Sequence, residues 1–138
     1  DAILEDAISL CKGKRSSDMA SLLQRKAKVA AARGEEDVQL QYLYQAFSID
    51  RNNGYLAAEL ADLAEKLENW DIATKTLRSI ALLEGPCPIT RTQSYIRQAR
   101  ICLITGDEQR ANFWVKKAQK EEPDSPEVKE MLAVLGED

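Results

Sequence analysis

The residues best suited to chemistry are few. Glu35, Glu36 and Asp37 stand together, as do Glu121, Glu122 and Asp124. Grouped carboxylates are the ligands that hard cations choose. Ser16 and Ser17 offer hydroxyls, and Cys11, Cys87 and Cys102 offer thiols. Such a nucleophile needs an adjacent base to activate it. The chain has no histidine, the commonest general base and metal ligand. No base is evident beside Ser16 and Ser17, and the "GPCP" stretch around Cys87 supplies neither base nor cation. The glycines are isolated, so no phosphate cradle is visible. Both acidic clusters read as solvated, and at a helix start Glu35–Asp37 suits the helix dipole. The expectation is a non-catalytic protein with no metal and no cofactor.

Three scattered cysteines with no CxxC pair are not a disulfide framework, so reduced thiols are expected. Cys102 falls in an apolar helical stretch and reads as a buried small residue. Cys87 reads as exposed.

A length of 138 residues suits one domain, and 44% hydrophobic residues provide a core. With 19 basic against 23 acidic residues the net charge is −4, which argues against a nucleic-acid coat. The longest run without a charge, residues 38–49, is too short to span a bilayer and carries three glutamines. Asp1 in place of an initiating Met reads as a fragment of a longer protein. Nothing sets the compartment, and the cytoplasm is the default.

The elements repeat. Ala46 in "YQAFSIDRNNG", Ile80 in "RSIALLEGPCP" and Ala118 in "KKAQKEEPDSP" occupy equivalent places, 34 and 38 residues apart. Four extra residues sit between the later two, in "PCPIT". The units are residues 20–53, 54–87 and 92–125. Each holds two helix-sized apolar patterns. Leu56, Leu60, Leu63 and Leu67 form the first of unit two; Trp70, Ala73, Leu77, Ile80 and Ala81 form the second. Asn69 is a cap between them, "TRTQ" at residues 90–93 is a capping box, and Gly106–Asp107 is a turn. Ala27, Ala61 and Ala99 let the first helices approach Ala73 and Ala111 of the second. One pair cannot bury both its sides, so pairs must stack.

This pattern resembles the tetratricopeptide repeat family from residue 20 to residue 125. Its positions occur as Ala61, Glu68, Ala73, Leu77 and Ile80 in unit two, and as Tyr95, Ala99, Gly106, Ala111, Ala118 and Pro123 in unit three. Departures are Gln39 for a small residue, Arg51 for a proline and Glu68 for the turn glycine. The expected fold is all-α, a solenoid of helix-turn-helix pairs with three full repeats. Residues 1–13 read as a helix of a truncated preceding unit, closed at Gly13, with Ser16 or Ser17 capping the next helix. Residues 126–136 read as a terminal capping helix, with Ser125 as its cap and Pro126 in its first turn. That makes eight helices.

The resemblance implies that the first helices line a concave groove. Its positions here are Gln24, Arg25 and Lys28; Tyr55, Glu59 and Asp62; and Gln93, Ile96, Arg97 and Arg100. Tyr55 and Ile96 would be apolar anchors. The signs alternate along the groove: a partner peptide reads them, or neighbouring helices pair them with each other. Some members of the family hold the carboxylate of chaperone tails with Lys, Asn, Asn, Lys and Arg. The matching positions are Gln24, Lys28, Glu59, Tyr55 or Gln93, and Arg97. Only Arg97 fits, so chaperone tails are not expected ligands. Phe113, beside Trp114, falls at an outward position. It either packs under the terminal helix or marks a convex contact or dimer seam.

The implied function is an interaction scaffold that binds a protein or peptide, with no nucleic-acid or membrane partner. Homodimers through exposed terminal helices are a further expectation. The alternatives are a structural spacer or oligomerisation segment of a longer solenoid, or a regulatory domain of a fused enzyme.

Overall fold

The computed structural model describes the backbone of residues 2–136 and the side chains of residues 16–136. The described residues form seven helices and no strand. They are α1 (Ala2–Ala32), α2 (Glu36–Ile49), α3 (Gly54–Lys66), α4 (Trp70–Leu82), α5 (Arg91–Ile104), α6 (Glu108–Glu121) and α7 (Pro126–Val134). Each helix packs on the next in sequence, and α7 packs on both α5 and α6.

The turns inside the three pairs share one construction. Gly34 and Gly106 take φ of 74° and 88°, and Glu68 takes φ of 59° at the equivalent place. After each, a backbone N–H returns to a carbonyl five residues back. Glu35 reaches Ala30 at 2.9 Å, Asn69 reaches Ala64 at 2.8 Å and Asp107 reaches Cys102 at 2.7 Å. This left-handed exit satisfies the last carbonyls of the first helix and reverses the chain. In the second and third pairs the second helix then begins on a side-chain cap, whereas α2 opens at Glu35 without one. The Asn69 side chain accepts from the Ile72 N–H, and that of Asp107 from the Arg110 N–H. Thr90 and Gln93 close the expected capping box on α5. Ser125 precedes α7 without a side-chain capping bond, and Pro126 fills the first turn.

The first helix corrects the sequence reading. It runs unbroken through Gly13, Ser16 and Ser17, so the described residues form seven helices rather than eight. A glycine in a helix interior costs about 1 kcal/mol relative to alanine, which is too little to end a helix that no proline interrupts. Residues 2–13 therefore extend the first helix of the following pair. The apolar side expected at Ile3, Leu4, Ala7, Ile8 and Cys11 lies outside the described side chains.

The small residues lie where close approach needs them: Ala27, Ala61, Ala73, Ala99 and Ala111 are all buried, as are Ala46, Ile80 and Ala118. Two apolar clusters result. One spans α1 to α4 and reaches Ile89 and Ile101; the other joins Ile96, Ala99, Ala111, Val115 and Ala118 to Val128 and Met131 of α7. Thr76, Thr92, Ser94 and Gln98 are buried polar residues of α4 and α5. Ser94 Oγ donates across to the Leu77 carbonyl and accepts from Gln98 Nε2 at 3.2 Å.

The linker with the four extra residues folds back on the start of α3. Ile89 is buried, and the half-buried Cys87 thiol donates to the Gly54 carbonyl at 3.3 Å. The exposed Cys87 expected from sequence is therefore corrected: this loop packs instead of projecting.

Candidate functional site

The positions expected to line the groove fall on α1, α3 and α5, the first helices of the pairs. Tyr55 is 66% exposed, and Glu59, Asp62 and Arg100 are exposed beside it in the series. A hollow of about 290 Å³ brings Asp62, Gln93, Arg97 and Arg100 together over Ala58 and Ile96. Its rim adds Pro88 and Ile89 from the linker and Glu127 from α7. Sequence reasoning missed these three; the insertion "PCPIT" was the available signal for the first two.

Ile96 does not serve as an anchor. It is 1% exposed and belongs to the cluster that α7 covers with Val128 and Met131. The terminal helix supplies a further layer on α5, and Ile96 becomes core. Gln24 is half-buried and Lys28 exposed on α1, and neither borders the hollow. Arg25 lines a different hollow, between α1 and α2, with Lys26, Val29, Arg33, Val38 and Tyr42.

The charges on α3 and α5 engage each other. Arg97 Nη2 donates to Asp62 Oδ1 at 2.8 Å, and its Nε lies 3.0 and 3.1 Å from the two carboxylate oxygens of Glu65. Burial disfavours the Arg97 charge, but the hydrogen bonds it donates to Glu65 and Asp62 outweigh this and raise the pKa above the usual guanidinium range. Arg97 is thus satisfied internally. Of the two expectations for the alternating signs, mutual pairing holds at this position. Arg100 and Glu59 have no ion-pair partner among the described residues. The expected acidic cluster at residues 35–37 opens α2, where Glu36 pairs with Lys66 of α3 at 3.1 Å.

Phe113 is 52% exposed and does not lie under α7, which corrects the first of its two expectations. The face of α6 turned to the core carries Ala111, Val115 and Ala118. At 100° per residue Phe113 falls on the opposite side. It meets the Trp114 ring edge-on at 5.0 Å, while Trp114 stacks on Tyr95 at 5.8 Å. Lys117 sits over all three rings, and Arg78 of α4 approaches Trp114 at 5.9 Å.

A stack of antiparallel helix pairs with small residues at the crossings and a closing helix defines an all-helical repeat solenoid. The solved structures similar to this chain carry the same architecture. The first tetratricopeptide domain of Spaghetti (RPAP3), bound to the HSP90 peptide SRMEEVD, matches with a TM-score of 0.59 at 18% identity, over 87% of this chain and 92% of that one. The first such domain of human RPAP3 matches with a TM-score of 0.58 at 18% identity, over 87% and 91%. PilF of Pseudomonas aeruginosa matches with a TM-score of 0.52 at 19% identity, over 86% and 51%. The fold of this chain is therefore tetratricopeptide-like. No family model and no curated protein matches the sequence.

Proposed function

We propose that this domain is a non-catalytic interaction scaffold whose first-helix face receives an extended or helical segment of a partner protein. The observation that carries the reading is the hollow between α3 and α5. It gathers Asp62, Gln93, Arg97 and Arg100 on one surface, and the solvent-exposed Tyr55 and Glu59 lie along the same helix as Asp62. Fixed charges with one exposed aromatic suit partner selection and register more than tight apolar burial. The similar RPAP3 domain bound to an HSP90 peptide supports a peptide as the class of ligand.

The ligand differs in kind from that peptide. Arg97, the one residue that matches a carboxylate clamp, already holds two carboxylates, and Glu59 stands where a clamp needs a neutral donor. Calorimetry with SRMEEVD is expected to show no saturable binding; micromolar binding abolished by Arg97→Ala would overturn this exclusion.

The groove itself is tested by panning a displayed random-peptide library on the domain. Recovered peptides are expected to lose affinity for Tyr55→Ala and Arg100→Glu, and to keep it for Arg78→Glu on the other face. Peptides indifferent to both groove variants would overturn the groove reading, leaving charges there that only brace the stack.

A further inference from the structure

A second cavity lies on the face formed by the second helices. It has a volume of about 340 Å³ and runs between α4 and α6, floored by the C-terminal end of α5 at Ile101, Cys102 and Thr105. Its walls carry three cations, Lys75, Arg78 and Arg110, and two anions, Asp71 and Asp107. Of these anions only Asp71 is charge-paired among the described residues. Asp71 pairs with Lys75 at 3.1 Å, and Asp107 accepts the Arg110 backbone N–H at 3.1 Å as the cap of α6. Arg78 and Arg110 have no ion-pair partner among the described residues, and neither does Lys117 beside them. The uncompensated charge of this cleft is positive in a chain whose net charge is −4.

We infer that this cleft docks an acidic segment of a partner protein, its carboxylates meeting Arg78, Arg110 and Lys117 and an apolar side chain resting on Phe113. Guanidinium groups present paired N–H donors that fit a carboxylate, and a half-sheltered cleft strengthens the attraction. Phe113 gives the apolar contact, because its ring is fixed edge-on against Trp114 and is still half exposed. Two of the three cations are held against aromatic rings. Lys117 lies 5.1 Å from the Phe113 ring centre and 5.3 Å from that of Trp114, and Arg78 lies 5.9 Å from that of Trp114. Ordering before binding lowers the entropic cost of forming the contact. A single-stranded nucleic acid fits less well. Base stacking needs a free aromatic face, and Trp114 is engaged by Tyr95, Phe113, Lys117 and Arg78.

The probe is a fluorescein-labelled octapeptide alternating glutamate and leucine, titrated with the domain and read by anisotropy. Saturable binding that weakens as salt rises is expected. The variant Arg78→Gln/Arg110→Gln is expected to lower affinity about tenfold or more, and Arg100→Glu in the groove to leave it unchanged. Circular dichroism checks the fold, and Arg110→Gln alone, which touches no aromatic ring, is expected to show a smaller loss in the same direction. The inference fails if the peptide does not bind saturably, or if both cleft variants bind it as the parent does. A loss through Arg100→Glu would assign the binding to the groove. Competition by a labelled oligothymidylate with the same Arg78 and Arg110 dependence would replace the acidic segment with nucleic acid.

Discussion

Arg97 of α5 grips the Glu65 carboxylate of α3 through two nitrogens, with Nη2 also reaching Asp62. This contact joins the first helices of consecutive pairs. The Arg97 side chain is only 18% exposed, while Asp62 is largely in solvent. Its worth lies between that of a surface pair and a buried one, so Arg97→Ala is expected to cost about 1–2 kcal/mol. Arg97→Lys should recover only part, because an ammonium lacks the two-pronged geometry. Urea unfolding measures both. An Arg97→Ala variant as stable as the parent would remove the brace from the account of the stack.

Glu68 holds the left-handed position that Gly34 and Gly106 hold in the other two turns. A side chain there brings Cβ against the following carbonyl, at a cost of about 1–2 kcal/mol. Glycine relieves this but gives back about 0.5–1 kcal/mol through its greater unfolded entropy. Glu68→Gly is therefore expected to stabilise the domain by up to about 1 kcal/mol, read as a rise in Tm. A fall in Tm would show that the Glu68 turn is held by something other than its backbone geometry.

Gly54 is the first residue of α3 and is buried under the linker. A Cβ there would lie 2.9 Å from both Cα and Cβ of Cys87 and closer still to the Pro86 carbonyl oxygen. These are mostly backbone atoms, which cannot swing aside. Gly54→Ala is expected to cost about 1–3 kcal/mol, the range for an overpacked site. Hydrogen exchange should then show faster opening at Cys87 and the first turn of α3, whereas unchanged protection there would mean the linker does not seat on Gly54.

The repeat was legible because its physics is local. Small residues at Ala61, Ala73, Ala99 and Ala111, the caps at Asn69 and Thr90 and the turn at Gly106 each announce one helix or one crossing, and each is found in place. The continuous α1 was not legible, since Gly13 and the two serines are marginal stop signals that only context resolves. The groove was legible as a set of helix positions but not as a working surface. Whether Ile96 is lining or core depends on where α7 lands, and whether Arg97 is free depends on Glu65 a whole unit away. The packed linker was hidden for the same reason: Cys87 and Gly54 are far apart in the chain.

Cys102 illustrates how that distant context reaches a titration. Burial raises its pKa first, the charge of Asp107 adds to this, and Arg110 and Arg78 oppose it. The folded chain thus keeps the thiol proton to higher pH than the unfolded chain does. The resulting stability is fully present below the unfolded thiol pKa of about 8.5 and is lost as pH rises through the raised folded value. Above that unfolded value, Cys102→Ala should lose less stability with pH than the parent. Iodoacetamide should modify Cys102 more slowly in the folded than in the urea-unfolded chain at pH about 8.5, followed peptide by peptide in a mass spectrometer. Equal rates would contradict the burial argument.

The last test addresses the seam between α4 and α5. Ser94 Oγ bonds the Leu77 carbonyl and also accepts Gln98 Nε2. Gln98 is 1% exposed, and its Oε1 has no partner. Removing the serine hydroxyl strands a second polar group of Gln98 in a dry place, so Ser94→Ala is expected to cost about 1–3 kcal/mol. Gln98→Leu removes both stranded groups at nearly constant volume and is expected to be neutral or mildly stabilising. The double variant should then be more stable than Ser94→Ala alone, because the penalty resides in the orphaned amide. A double-mutant cycle on urea midpoints measures the coupling. Additive effects would mean that Ser94 and Gln98 act separately, and that the seam is held by Ser94 through Leu77 alone.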